Sequence, residues 1–268
     1  MPLLTTLRNK ISGFADSLPF SNRWQIILQR LLRPSDPLVT YCWKGKWWLV
    51  CDTRVQDAQA AKELLANGCY DRWIRKSMCE GKLSYVNVGA NIGAFDLAVA
   101  AAVREIPFGL SIELSPRTFA RLSFNLQVNG LHQIRMLNAG VSRENGTFSF
   151  HPTACSLSDG LFAHTPADLV ATSLPVPLLT LADALARAGL EEHDFDLLKL
   201  DCEGAEYGIV AASSPDCLRR FRHIVAELHP EPVGESPSAL YAKLAQCGFQ
   251  PDRADREGHA GLHFWCRT

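Results

Sequence analysis

Tyr85-Val86-Asn87-Val88-Gly89-Ala90-Asn91-Ile92-Gly93 reads as a buried strand that turns through small residues into an apolar helix over residues 94–103. A turn of small residues lets a ligand lie against bare backbone, with the first N–H groups of the helix aimed at it. Asn91 suits such a turn because Asn tolerates the left-handed conformation that most side chains avoid. The stretch predicts the binding place of a nucleotide-like cofactor. Two glycines at a strand–helix junction are a weak signal alone, since packing often puts them there.

A second strand is expected over residues 108–112, and it ends in Glu113. An acid about 20 positions past a glycine turn, closing the next strand, commonly meets ribose hydroxyls in doubly wound folds. Glu113 also has a purely structural explanation. Ser115-Pro116 opens a helix, and acids belong near a helix N-terminus. The two roles are compatible, and turn and acid together are more specific than either.

The glycine rhythm separates cofactor classes. A dinucleotide fingerprint asks for Gly-x-Gly-x-x-Gly, whereas this chain has Gly89-x-Asn91-x-Gly93. That run resembles motif I of class I S-adenosylmethionine-dependent methyltransferases, with Asn91 in the place of the middle glycine. Leu197-Leu198-Lys199-Leu200-Asp201-Cys202-Glu203-Gly204-Ala205-Glu206 resembles the Lys-Ile-Asp-x-Glu-Gly-x-Glu signature of the FkbM methyltransferases. Asn87 to Gly93 is similar to that family's Asp-Val-Gly-Ala-Asn-Ile-Gly, and Ile112-Glu113-Leu114-Ser115-Pro116 to its Ile-Glu-Pro-x-Pro. The likeness runs in order from about Tyr70 to the C-terminus.

The resemblance implies an α/β fold, the class I methyltransferase Rossmann-like doubly wound sheet. Its seven strands would run in the order 3-2-1-4-5-7-6, the last antiparallel. It also implies S-adenosylmethionine as cofactor, held by Asn87, Gly89, Ala90, Asn91, Gly93, Glu113, Leu114, Asn138 and Asp201. Asn87 departs from the pattern, since the family has Asp there, near the amino group of the methionine moiety. A neutral hydrogen bond in place of a charge-assisted one predicts a loss of about tenfold in cofactor affinity.

Composition sets the frame. The 268 residues are 47% hydrophobic with net charge −1, enough for one full α/β domain and an extension. No apolar run reaches the length of a membrane span, and no signal peptide is recognisable, so a cytoplasmic protein is expected. Nine cysteines without a Cys-x-x-Cys pair read as reduced thiols, with neither a zinc site nor a disulfide frame. Near-neutral charge argues against a nucleic-acid partner. The one basic cluster, Arg219-Arg220-Phe221-Arg222-His223, reads as a solvated helix end.

Residues 1–80 form an expected extension, a cap or an oligomer contact, before a methyltransferase domain over 81–268. Trp24, Ile27, Leu28, Leu31 and Leu32 fall at helical spacing, so residues 21–32 read as a one-faced helix. Leu4, Leu7, Ile11 and Phe14 form a weaker pattern of the same kind. Such faces could touch a membrane surface, but packing on the main domain or on a second subunit, as in a homodimer, is commoner. Residues 39–43 and 47–51 flank Lys44-Gly45-Lys46 as a β-hairpin. A helix over about 58–68 leads to Tyr70 and Trp73, and the tryptophans of this region read as core anchors before groove lining.

Beyond residue 81 the pattern alternates as a doubly wound sheet should. Strands are expected at 84–88, 108–112, 134–138, 147–151, 196–200 and 223–228, then near Gln250 and at 262–266. Helices are expected at 117–129, 181–188, 205–212 and 239–247. Residues 152–177 read as a long irregular stretch, and such loops are usually functional. With part of the N-terminal region, the segment 153–177 is expected to roof the pocket.

Ligands bind beyond the carboxyl ends of parallel strands. The polar residues there are Asn87, Glu113, Asn138, Asp201 with Glu203, and Glu227 with His229. Each has an ordinary explanation: Glu203 and Glu206 suit a helix N-terminus, His229 starts a loop before Pro230, and Asn138 bonds loop backbone or lies near adenine. Asp201 is hardest to dismiss, because a carboxylate ending a buried strand needs a partner or a task. The expected reaction is O-methylation of a hydroxyl on a sugar or secondary metabolite, a small-molecule or glycan acceptor. Asp201 and His229 are the candidate bases, with Glu203 and Glu227 as orienting groups. A divalent metal held by these four is the lesser expectation. N-methylation by the same fold, an NAD-dependent oxidoreductase and a catalytically silent cofactor-binding module are the alternatives. The chain lacks the Asn/Asp-Pro-Pro-aromatic run of amino methyltransferases, which lowers nucleobase methylation.

Overall fold

The computed structural model describes residues 17–151, 161, 173–252 and 261–268. The pattern at Leu4, Leu7, Ile11 and Phe14 lies outside them, as does most of the expected roof at 153–177.

Seven strands form the central sheet: β3 (Tyr85–Val88), β4 (Gly109–Glu113), β5 (Ile134–Asn138), β9 (Phe195–Leu200), β10 (Phe221–Glu227), β11 (Phe249–Pro251) and β12 (Leu262–Arg267). Their order across the sheet is β11-β12-β10-β9-β3-β4-β5, with β12 antiparallel to both neighbours. In sheet-strand terms this is 3-2-1-4-5-7-6 with the last strand reversed, as the family resemblance implied. Parallel strands buried on both faces read as unbroken apolar runs, which is why Leu197-Leu198 and Ile224-Val225 carry no alternation.

Alternate residues feed two cores. Val86, Val88, Leu110, Leu198 and Leu200 pack on one face, beneath α6 (Leu181–Arg187), α7 (Ala205–Ala212) and α8 (Pro237–Gln246). Tyr85, Leu197, Val225 and Phe264 pack on the other, beneath α4 (Ala94–Ala102) and α5 (Pro116–Val128). The N-terminal region belongs to this second core.

That region contributes α1 (Arg23–Leu32), the hairpin β1 (Leu38–Trp43) with β2 (Trp47–Asp52), α2 (Asp57–Ala61) running into a π-helical turn (Lys62–Ala66), and α3 (Asp71–Ser77). Trp43, Trp47 and Trp73 are buried, and Trp73 stacks on Phe264 with ring centroids 4.5 Å apart. Asn125 of α5 binds the hairpin to the motif turn: its Oδ1 accepts from the Val50 N–H at 2.7 Å, and its Nδ2 donates to the Ile92 carbonyl at 2.9 Å. Arg121 pairs with buried Asp57 at 2.6 Å and ties α2 to α5.

Three expectations need correction. The stripe Trp24, Leu28, Leu31 and Leu32 of α1 points outward, 55–72% exposed, and Ile26 is the residue that α1 buries. The helical spacing was right, but spacing does not say which of two apolar sides meets the core. The expected single helix at 58–68 changes hydrogen-bond register at Lys62 and ends by residue 66. The irregular stretch closes in a strand, β8 (Leu174–Leu179), which joins β6 (Gly140–Val141) and β7 (Gly146–Phe150) in a small sheet ordered β6-β8-β7. Pro175 and Pro177 hid it, since proline is rare inside sheets. It is tolerated here because β6 pairs only with Leu178 and Leu179, leaving the prolines one neighbour.

Candidate active site at the strand ends

The turn after β3 holds three left-handed residues: Gly89 (φ +76°), Asn91 (φ +49°) and Gly93 (φ +90°). Asn91 takes the conformation its residue type allows, and its Oδ1 accepts from the Ile92 N–H at 2.7 Å. Gly89 is obligatory for a second reason. A Cβ there would lie 1.7 Å from the Asp201 carbonyl oxygen, so the turns after β3 and β9 touch backbone to backbone. The second turn is also special, with Glu203 (φ +55°) and Gly204 (φ +96°) left-handed before α7.

Beside these turns lies an open cleft lined by residues of both. Gly89, Ala90 and Asn91 border it, with Glu113 and Leu114 at the end of β4 and Asp201 and Glu203 after β9. Ala60 and Leu64 reach it from α2 and the π-helical turn, so the N-terminal region forms part of its wall. π-turns often mark functional sites. Leu161 lines it too, the one described residue from the middle of the expected roof.

Glu113 is buried and firmly held. Its Oε2 accepts from the Asn91 N–H and its Oε1 from the Ser115 N–H, both at 2.8 Å. The carboxylate thus joins the motif turn to the start of α5, and it stands at the cleft wall where hydroxyls can be received.

Asp201 has a divided environment. Its Oδ2 is 3.1 Å from the Lys199 ammonium and 3.4 Å from the Tyr70 hydroxyl. Its side chain is 26% exposed, and it lines the cleft. Lys199 is buried and also donates to the Gly89 carbonyl at 3.1 Å, with the rings of Tyr70 and Phe95 at 5.6 and 5.7 Å. Neither Lys199 nor Tyr70 was singled out from the sequence. A lone lysine inside the apolar run Leu197-Leu198-Lys199-Leu200 was a readable signal, because a buried charge must be paired. Tyr70 lies 131 positions from Asp201 and gave none.

Three expected site residues sit elsewhere. Asn87 is wholly buried behind the cleft and gives its Nδ2 to Asp96 at 3.2 Å. Asn138 uses its Nδ2 on the Glu113 and Leu114 carbonyls at 2.8 and 3.0 Å, so it holds the loop after β4. His229 does not line the cleft. Its Nδ1 is 3.0 Å from Glu206 Oε1, its Nε2 is 3.7 Å from Glu203, and Tyr207 fixes its carbonyl at 2.9 Å. The hydrogen bond to Glu206, opposed by partial burial, raises the imidazole to about 9. His229 therefore bonds Glu206 and faces Glu203 instead of the cleft wall.

Burial pushes the carboxyls of Glu203 and Glu227 up, with neighbouring acids adding to it and His229 opposing. Asp201, Glu203, Glu227 and His229 do not converge as a metal site, and no group of three metal-ligating side chains does so among the described residues.

Among solved structures the chain superposes on the methyltransferase FkbM from Methylobacillus flagellatus KT with 12% identity and a TM-score of 0.46, over 80% of this chain and 56% of that one. It also superposes on magnesium protoporphyrin IX methyltransferase from Synechocystis PCC 6803 with 10% identity and a TM-score of 0.43, over 80% and 83% of the two chains. No curated protein matches the sequence. The profile of the Methyltransferase FkbM domain matches residues 87–251, more than half of the chain, which takes in the first turn, Glu113 and the Asp201–Glu206 run. The chain therefore belongs to the FkbM methyltransferase family.

Proposed function

We propose that this protein is an S-adenosylmethionine-dependent methyltransferase that acts on a hydroxyl oxygen of a small polyhydroxylated acceptor, a sugar or a secondary metabolite. The observation that carries the reading is Asp201, one carboxylate oxygen held by Lys199 and Tyr70 while the side chain stays open to the cleft. An alcohol is a poor nucleophile until its proton leaves, and Asp201 Oδ1 is placed to receive that proton.

The residues fit the cofactor. Glu113 offers anchored carboxylate oxygens to ribose hydroxyls, and Gly89 to Asn91 present bare backbone along the cleft. When bound, the cofactor supplies a methyl group already activated on a sulfonium. The chain then has to align the acceptor and take its proton. Lys199 and Tyr70 hold Asp201 Oδ2, so the other oxygen keeps a fixed direction. Ala60 and Leu64 bring apolar surface to the wall and limit water.

Charge supports a neutral acceptor. Lys199 is the one cation among the described lining residues, and it is engaged with Gly89 and Asp201. The cleft offers carboxylates to hydroxyls and no free cation to phosphates, which disfavours a nucleic acid. In this reading residues 1–80 cap a methyltransferase domain over 81–268, in the cytoplasm.

Calorimetric titration with S-adenosylmethionine, its demethylated product and NAD tests the cofactor half. Binding of the first two and not the third is expected, and binding of NAD alone would overturn the reading. A screen of hydroxylated sugars and metabolites for one added methyl tests the other half. A product methylated on nitrogen, or cofactor binding with no turnover on any acceptor, would refute the hydroxyl assignment.

A further inference from the structure

A row of polar side chains crosses the middle of the sheet on the face that α4 covers. Ser111 of β4, Asn87 of β3 and Lys199 of β9 stand in register, and all three are buried. Asp96, in the first turn of α4 and wholly buried, sits on this row. Its Oδ1 accepts from the Ser111 hydroxyl at 2.6 Å and the Tyr85 hydroxyl at 2.7 Å, and its Oδ2 from Asn87 Nδ2 at 3.2 Å. Hydroxyl bonds of that length are typical of an ionised acceptor. Burial holds the Asp96 carboxyl above the usual carboxylate range, and the three donors and the Lys199 ammonium limit the rise.

The reaction proposed above makes no use of Asp96. The nearby Lys199 ammonium, which attracts it without touching it, explains why it is there. A buried ammonium at the wall of a cleft that receives a cation is unfavourable unless it is more than balanced. Asp201 offsets Lys199 from the cleft side. Asp96, wholly buried behind Asn87, is the second carboxylate whose field reaches Lys199.

Asn87 completes the argument. The family pattern has a carboxylate at this position, and here it is an amide 3.2 Å from Asp96. Two carboxylates at that separation would have to share a proton. One of the two positions must be neutral for the other to be charged.

We propose that Asp96 carries, from helix α4, the negative charge that the family pattern places on strand position 87, and that through Asn87 and Lys199 it makes the cleft receptive to a sulfonium. Asp96 is a positioning residue, and the inference rests on the cofactor reading above.

The test compares S-adenosylmethionine with S-adenosylhomocysteine, which lacks the sulfonium charge, by calorimetry on wild type, D96N, N87D and the exchange N87D/D96N. D96N should raise the ratio of the two dissociation constants by about tenfold, the size of one lost medium-range charge interaction. The exchange keeps the 87–96 hydrogen bond with reversed polarity and should return the ratio to the wild-type value. Equal weakening of both ligands in D96N would mean a structural role only, and an unchanged ratio would mean none; either overturns the proposal. Should D96N not fold, the exchange decides alone, and a ratio away from wild type counts against the proposal. Wild type that binds neither ligand would remove the cofactor reading, and this inference with it.

Discussion

Lys199 and Asp201 lie two residues apart at the end of β9, and their charged groups meet at 3.1 Å above the carbonyl of Gly89. Successive strand residues alternate faces, so i and i+2 share one. The pair therefore stands on the side of the sheet that α4 and the N-terminal region cover, and Tyr70 from that region closes over it. A residue from outside the segment matched by the family profile thus completes the end of the sheet.

Removing the base should separate chemistry from binding. Asp201→Asn is expected to lower methyl transfer by about 10²–10⁴-fold, the usual span for a lost general base. Tyr70→Phe removes a single neutral hydrogen bond and should cost about fivefold. Single-turnover rates with saturating cofactor check both. A Tyr70→Phe loss as deep as that of Asp201→Asn would make the phenol the proton acceptor.

Glu113→Ala should weaken cofactor binding by about 10–100-fold, since charge-assisted bonds to ligand hydroxyls disappear. Glu113→Gln should rescue little. Both carboxylate oxygens accept backbone N–H groups, so an amide nitrogen would face either the Asn91 or the Ser115 donor. Calorimetry beside a melting curve reads this, and full affinity in Glu113→Gln would show that charge is irrelevant there.

Much of this was legible in the sequence. The bounds of β5 and α7 fell where expected, because short apolar runs between turn residues leave few choices. Asn91 was read as left-handed from its residue type alone. What the sequence hid was direction. Asn87 lies one residue before the end of β3 and Asn138 ends β5, yet their amide nitrogens bond a buried carboxylate and two backbone carbonyls. Strand position fixes which face a side chain takes, but helix α4 decides what that face meets, and Asp96 became visible only with α4 in place. His229 was misread for a similar reason. Its neighbour Glu206 is 23 positions away, and that contact holds the ring off the cleft wall.

The His229 imidazolium gives stability a particular pH dependence. Its folded value, about 9, lies above the ordinary 6.5, so the native state holds a proton that the unfolded chain releases. Its contribution is complete below about pH 6.5 and fades as pH rises through about 9. His229→Gln should flatten the decline in melting temperature over that window and leave cofactor affinity nearly unchanged. An unaltered slope would mean that the ring is neutral in the native protein.

Gly89 tests whether the two motif turns act as one unit. Gly89→Ala must place a Cβ 1.7 Å from the Asp201 carbonyl while holding φ at +76°. Neither group can yield, because both belong to backbone at the ends of central strands. Gly93 is also left-handed, at φ +90°, but a Cβ there first meets Leu122 Cδ1 at 3.0 Å, the movable end of a side chain. Strain in φ is common to the two, so the difference between them isolates the backbone contact. Gly93→Ala is expected to destabilise by about 1–3 kcal/mol, the usual cost of a strained residue, and to keep the fold. Gly89→Ala should cost about 4 kcal/mol or more, in the range reserved for severe packing faults. Where it still folds, it should impair cofactor binding and methyl transfer together, since the turn that cradles one ligand and the carboxylate that serves the other are displaced by the same atom. Chemical denaturation of both variants measures the gap, and equal destabilisation would mean that the two turns move apart freely.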